Sequence, residues 1–335
     1  MVTIASFAST FFIDEQNNLW ACGNNSKYQL GYSCSTSQYL PIKVMENVID
    51  MAAGEYHSLI LKTDKTLWVV GSNDFGQLGN GNNNDQHSPV QIATDVLGIA
   101  AGKNFSFYVK SDHSLWVMGN NVFGQLGNGN TNNQNTPVKI MDNVKIVSTA
   151  MAHSLILKTN GTLWSCGNNS AYQLGDGTDA HKSTPVKIAS NVVQTSAGNQ
   201  FSLFVKSDGI LWGVGFDGAG QLGDNSTYTV HDPKEILNGV KEAFAGSGHT
   251  LVLKTDGTVW VAGLNDFGQL GNGNNNNIGR FEKVADNVKQ MSAGSYHTII
   301  VKNDGTVWSA GSNGSGQLGT GTGLSDRSRF EQIKF

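Results

Sequence analysis

The stretch "DFGQLGNGNNN" runs from Asp74 to Asn84, and the same eleven residues recur from Asp266 to Asn276. The copies start 192 residues apart, and that distance divides. Gln-Leu-Gly recurs at Gln29, Gln77, Gln125, Gln173, Gln221, Gln269 and Gln317, always 48 residues on. The seven tryptophans keep the same step: Trp20, Trp68, Trp116, Trp164, Trp212, Trp260 and Trp308. Seven such units account for a chain of 335 residues. A period of this size denotes a repeat architecture, which overrides the two-domain expectation from length alone.

One unit holds four runs of strand length. In the second these are Ser88–Ala93, Val96–Gly102, Phe105–Asp112 and Ser114–Asn121. Val, Ile, Phe and Trp fill the runs and turn residues separate them. "TDGT" (Thr255–Thr258) and "NDGT" (Asn303–Thr306) carry the Asp-Gly signal of a tight hairpin. No window sustains a 3.6-residue period, so no substantial helix is expected. Four antiparallel strands repeated seven times predict an all-β, seven-bladed β-propeller forming one domain over 1–335.

The unit starts in mid-pattern at "VTIASFAST" (Val2–Thr10), and "RFEQIKF" (Arg329–Phe335) resembles a first strand. The two-residue link between "PVQIA" and "VLGIAAG" reaches about 11 Å. Crossing a blade from rim to axis needs about 14 Å. That link therefore reads as a hairpin inside one blade, with the "GQLGNGNNN" stretch leading to the next. The two termini are then expected to share a split closing blade.

Leu67–Gly81, Pro89–Ile92 and Ile99–Gly102, with Gly-Gln-Leu-Gly, Ala-Ala-Gly-x-x-His-Ser and Lys-Thr-Asp-Gly-Thr-Val-Trp, resemble the repeat of the regulator of chromosome condensation (RCC1) family. The resemblance covers all seven units and implies a seven-bladed propeller. That family includes an exchange factor for a small GTPase, an ultraviolet-B photoreceptor and a β-lactamase inhibitor, so fold alone does not decide function. The exchange factor uses a wedge inserted in one blade, for which the constant 48-residue interval leaves no room. The inhibitor branch has shorter units. The photoreceptor's Gly-Trp-Arg-His-Thr motif is met here by Gly54–Ser58, Gly246–Thr250 and Gly294–Thr298, without Trp or Arg.

Net charge is −4 with no Lys/Arg run, so the electrostatic footprint of a nucleic-acid binder is missing. There is no membrane span or signal peptide pattern, and a trimmed upstream signal leaves localisation open. Cys22 and Cys166 share one slot with Val70, Met118, Val214, Ala262 and Ala310, which reads as apolar filling. His57, His153, His249 and His297 share a slot with Phe105, Phe201 and Ser9, which reads as packing and not catalysis. The repeated glutamines are expected to bond backbone in the turn, and the tryptophans to pack between sheets. Lys62, Lys110, Lys158, Lys206, Lys254 and Lys302 read as a solvated face. No metal, cofactor or catalytic constellation stands out.

Slots that vary within a constant frame are free to meet a partner. One follows Ala-Gly: Glu55-Tyr56, Lys103-Asn104, Asn199-Gln200, Ser247-Gly248 and Ser295-Tyr296. Another holds Phe75, Phe123 and Phe267. Both fall in loops, where rigid scaffolds present recognition residues. The expectation is a monomeric, non-enzymatic scaffold binding a protein through one loop-lined face centred on Tyr56 and Tyr296. Nucleotide exchange and enzyme inhibition are the alternatives.

Overall fold

The computed structural model describes residues 2–321 and 323–335. Among these, 28 strands form seven four-stranded antiparallel sheets, with no helix. The sheets stand around an axis as a seven-bladed propeller. Blade 1 contains β1 (Val2–Ala5), β2 (Ser9–Ile13), β3 (Leu19–Gly23) and β4 (Gln38–Met45). Blade 2 contains β5 (Val48–Ala53), β6 (His57–Lys62), β7 (Leu67–Gly71) and β8 (Gln86–Ala93). Blades 3 to 7 begin at Val96, Val144, Val192, Val240 and Val288. First strands such as β1 and β5 pack around the axis and fourth strands form the rim.

Every blade is one uninterrupted segment, which corrects the split closure. The strand Arg327–Ile333 is the rim of blade 7, while β1 is the axial strand of blade 1. The link Glu46-Asn47 joins blade to blade, and the long loop stays inside its blade. Rim-to-axis reach was the wrong distance. Met45 pairs with Leu19 at the start of β3. The Val48 amide donates to Asn17 O, 2.9 Å away in the β2–β3 turn of the same blade. Both ends of the link thus lie beside one turn. Asn47 takes φ 60°, as Asn143, Asn191 and Asn287 do in their links, a left-handed conformation that Asn tolerates. Its carbonyl accepts from Thr63 N at 2.8 Å, clamping the link to blade 2.

The long loop buttresses the neighbour. Gly81 N donates to Asn135 O in blade 3 at 2.9 Å. At Gly76 (φ +78°) a Cβ would fall 2.5 Å from Asn135 Cα. Its glutamine is spent locally, as expected: Gln77 Oε1 accepts from Phe75 N, and all seven glutamines repeat that bond at 2.8–3.0 Å. A residue the sequence reading passed over organises the loop. Asn73, fully buried, accepts from Leu78 N and donates to Asn80 Oδ1 and Asn82 O.

Two layers join the blades. Apolar side chains interlock: Phe11, Leu19 and Leu30 of blade 1 pack with Val48, Met51 and Ile60 of blade 2, and Trp68 closes over them. Cys22 and Cys166 are buried fillers, as expected, with burial pushing the Cys166 thiol up to about 12. Above this layer a hydroxyl in each blade donates to the glutamine carbonyl of the previous blade's loop. The seven bonds are Ser58→Gln29, Ser106→Gln77, Ser154→Gln125, Ser202→Gln173, Thr250→Gln221, Thr298→Gln269 and Thr10→Gln317, at 2.6–2.8 Å. The last closes the ring. Closure is completed by Phe335, whose ring meets Phe12 edge-on at 4.9 Å.

The four histidines support these hydroxyls. His57 Nε2 lies 2.9 Å from Ser106 Oγ, and His153, His249 and His297 meet Ser202, Thr298 and Thr10. Each hydroxyl proton is already given to a carbonyl, so Nε2–H donates; Nδ1 is buried without a partner, and burial disfavours the cation, so the ring is neutral. Burial pushes the pKa of His57 and His297 down to about 3, and of His153 and His249 to about 4. The lysine stripe lies over the tryptophans: Lys206 Nζ is 3.6 Å from the Trp212 ring centroid and Lys254 Nζ is 4.5 Å from that of Trp260.

Two predictions follow from this packing. A histidine depressed below its free value of 6.5 contributes stability above pH 6.5 that is lost as pH falls toward its folded pKa. Replacing His57, His153, His249 and His297 together by Phe, the residue at 105 and 201, should flatten the fall in denaturant stability between pH 6.5 and 4. An unchanged pH slope would refute the neutral-imidazole assignment. Separately, Trp212 Nε1 is buried without a partner. Thr or Ser two residues earlier accepts this proton in five other blades, at 2.8–3.1 Å, but Ile210 stands there in blade 5. Ile210→Thr should raise stability by about 1 kcal/mol in guanidinium unfolding.

Candidate loop-lined binding face

Antiparallel alternation puts the first hairpin turn of each blade (54–56 in blade 2) and its long loop (72–85) on the same face. All ten sequence-predicted contact residues therefore share that face. They do not form one cluster. Glu55, Tyr56 and Phe75 belong to blade 2, and Lys103, Asn104 and Phe123 to blade 3. Asn199 and Gln200 lie on blade 5, Phe267 on blade 6 and Tyr296 on blade 7. Tyr56 is half-buried and Tyr296 is exposed.

On the blade 2–3 side the candidates are engaged with each other. Lys103 Nζ lies 3.3 Å from Glu55 Oε2, and Glu55 N donates to Lys103 O at 3.1 Å. Phe123 packs edge-on against His181 at 5.2 Å. The backbone bonds continue around the axis: Lys103 N to Ala150 O, Asn199 N to Ser247 O, Ser247 N to Ser295 O and Ser295 N to Ser6 O. They frame an axial cavity of about 240 Å³ lined by small and hydroxyl residues such as Ala53, Ser148 and Ser247, with no charged side chain.

On the blade 5–7 side a groove of about 170 Å³ opens between Asn199, Gln200, Phe216, Leu264 and Tyr296. The Tyr296 ring leans on Phe267, centroids 5.1 Å apart. Phe216 and Tyr296 are each 40% exposed. Phe216 and Leu264 are functional candidates the sequence reading missed. Their slot holds Asn24, Ser72, Asn120, Asn168 and Ser312 in the other blades. There the polar side chain has work: Asn24, Asn120 and Asn168 each accept from the loop glutamine amide at 2.8–3.0 Å. With Leu264 in place, Gln269 Nε2 is buried without a partner. The comparison between units held the signal, two residues before the slots that were compared.

Space for the groove comes from two glycines. Gly248 occupies the slot of Tyr56, Asn104, Gln200 and Tyr296 and leaves its floor open. At Gly218 a Cβ would fall 2.3 Å from the Phe216 ring.

Charge on this face is lopsided. The turns and long loops carry two lysines and nine carboxyl groups. Both lysines are paired, Lys27 with Asp85 at 2.9 Å and Lys103 with Glu55. Asp74, Asp179 and Asp266 are exposed and make no ion pair among the described residues. Asp217 is the exception: it fills the loop-organising asparagine slot of blade 5 and is fully buried. Burial, with the Asp224 carboxylate beside it, pushes its pKa up, while Lys234 pairs with Asp224. Among the described residues no group of His, Cys, Asp and Glu could hold a metal ion.

The RCC1-like domain model matches residues 2–238, and the RCC1 repeat model matches 240–269, 288–317 and, in a second version, 256–301. The chain belongs to the RCC1-like family. No curated protein matches it in sequence. Among solved structures it is similar to human WBSCR16, with TM-score 0.86, 24% identity, and 95% of this chain and 94% of that one covered. It is also similar to Prp20p from Saccharomyces cerevisiae, with TM-score 0.86, 22% identity, and coverage of 97% and 88%; that structure is described with its binding properties to Gsp1p and histones. At these identities the likeness concerns the fold.

Asp217→Asn tests the buried carboxyl. Asn169 makes the expected replacement bond to Asp176 Oδ1 at 3.0 Å in blade 4. A carboxyl whose folded pKa is raised adds stability below 3.8 and loses it as pH rises through the folded value. The variant should therefore gain on the order of 2 kcal/mol at pH 8, shrinking toward pH 4. An equal gain at pH 4 and pH 8 would contradict the protonated assignment.

Proposed function

We propose that this RCC1-like propeller is a non-enzymatic binding protein that holds a partner protein on its loop-lined face, at the groove between blades 5 and 7. The observation carrying this reading is the apolar substitution at 216 and 264. In two adjacent blades an exposed phenylalanine and a half-buried leucine stand where blades 1, 3 and 4 carry an asparagine that supports the loop glutamine. Departures from a local rule that cost stability are expected where function demands them. Exposed aromatics beside a recess are the usual anchors of an interface. The backbone ring and organised loops hold these side chains before a partner arrives, which limits the ordering cost of association.

Among the residues that line the groove, Ser247 has no His, Asp or Glu beside it to act as base, so the face suits recognition. Prp20p, of similar fold, is described as binding proteins, in keeping with this reading.

Affinity capture from the source cells, followed by mass spectrometry, tests it. Phe216→Asn with Leu264→Asn restores the residue type of the other blades and should preserve the fold. It should weaken capture at least tenfold, as loss of a central anchor does. Lys145→Gln with Lys289→Gln, on the opposite face, should leave capture unchanged. A partner lost only with the opposite-face variant would move the site.

A further inference from the structure

We infer that the partner presents a positively charged surface and that one of its arginine side chains enters the groove between Phe216 and Tyr296. This rests on the loop-face reading and specifies the chemistry of its partner.

Three independent features lead there. First, the face has negative charge that its own lysines do not meet. Lys27 and Lys103 are already spent on Asp85 and Glu55. Asp74, Asp179 and Asp266 are left exposed around the ring of loops. Lys182 and Lys234 reach in from rim strands to pair with the loop carboxylates Asp176 and Asp224, and the other 18 basic residues outside the face stand against 17 acidic ones, so the unpaired negative charge is on this face. A surface of one sign attracts and orients a partner of the other.

Second, the groove walls are aromatic and carry no charged side chain of their own. Phe216 and Tyr296 are both exposed and both line it. A guanidinium is planar, stacks on aromatic faces and sheds water more readily than an ammonium. Its methylene stem suits the Leu264 side of the recess. Asp266, exposed two residues beyond Leu264 in the same loop, is the nearest carboxylate in sequence to offer a counter-charge.

Third, the recess has room for one long side chain and is not a general cleft. Its volume of about 170 Å³ exists because residue 248 is glycine. The equivalent position in the adjacent blades is Gln200 and Tyr296, whose side chains form the walls. An apolar anchor would fit the walls but would leave the exposed loop carboxylates of this face unpaired. A lysine would meet the charge but gain less from the rings.

The test uses a fluorescein-labelled deca-arginine peptide, with deca-lysine of equal length as control, and fluorescence anisotropy at two salt concentrations. Deca-arginine should bind, more weakly at high salt, and at least several-fold tighter than deca-lysine. Gly248→Gln fills the recess with the side chain found at 200 and leaves the charge unchanged. It should reduce deca-arginine affinity on the order of tenfold, and Phe216→Asn with Leu264→Asn should match it. Asp266→Asn should reduce both affinity and salt dependence.

Equal binding of the two peptides, or full affinity in Gly248→Gln, would overturn the arginine assignment. Absence of deca-arginine binding would overturn the basic-partner assignment outright. If capture from cells still depended on Phe216 and Leu264 in that case, the loop-face reading would stand with a different ligand. Circular dichroism and thermal melting of each variant separate loss of binding from loss of fold.

Discussion

One hydrogen bond, made seven times, sets the relation between neighbouring blades. A β-strand serine or threonine donates to the glutamine carbonyl of the preceding loop. The bond lies where no water can substitute, so leaving either group unpaired would be costly. The same glutamine turns its side chain back onto its own loop, so one residue fastens the loop internally and to the next sheet. In four blades a histidine holds the hydroxyl from the other side. Because Thr10 bonds to Gln317 exactly as Ser58 bonds to Gln29, the closing interface is chemically the same as the internal ones.

With the ring fixed in this way, the loop face can depart from the repeat without endangering the fold. At blades 5 and 6 it does so in a connected set. Phe216 and Leu264 replace polar residues, Gly248 removes a side chain and Gly218 admits the Phe216 ring. The Gln269 amide beside Leu264 is buried without a partner. Blades 2 and 3 show the contrary pattern, with Glu55 and Lys103 satisfied by one another. The two halves of the face are therefore unequal, one self-paired and one open.

Much of the architecture was legible because each feature was sampled seven times. The 48-residue step revealed blade number, the tryptophan slot and the glutamine turn, and phenylalanine at 105 and 201 exposed the histidines as packing residues. The closure was not legible from reach alone. Strand spacings say how far rim is from axis, but not that the next blade starts against the β2–β3 turn of the last, as Val48 does at Asn17. Asn73 and its equivalents were visible in every unit, yet nothing in a one-dimensional pattern tells a buried organiser from an exposed loop asparagine. A slot shared in sequence places Tyr56 and Tyr296 on the same face, at different angles around the axis, and the pattern alone does not give those angles.

The contiguity of each blade has a consequence for how such a chain can change length. The structural unit and the sequence period are in phase, so a duplication or loss of 48 residues adds or removes one whole sheet together with one complete set of bonds to its neighbours. Wherever the break falls within the period, the joined halves rebuild a full blade, since every sheet pairs in the same order. A ring with a shared closing sheet would instead tie its number of units to the fit of two distant segments. Here blade number is limited only by the angle between sheets, and a recombination event that respects the period changes the circumference while leaving each interface as it was.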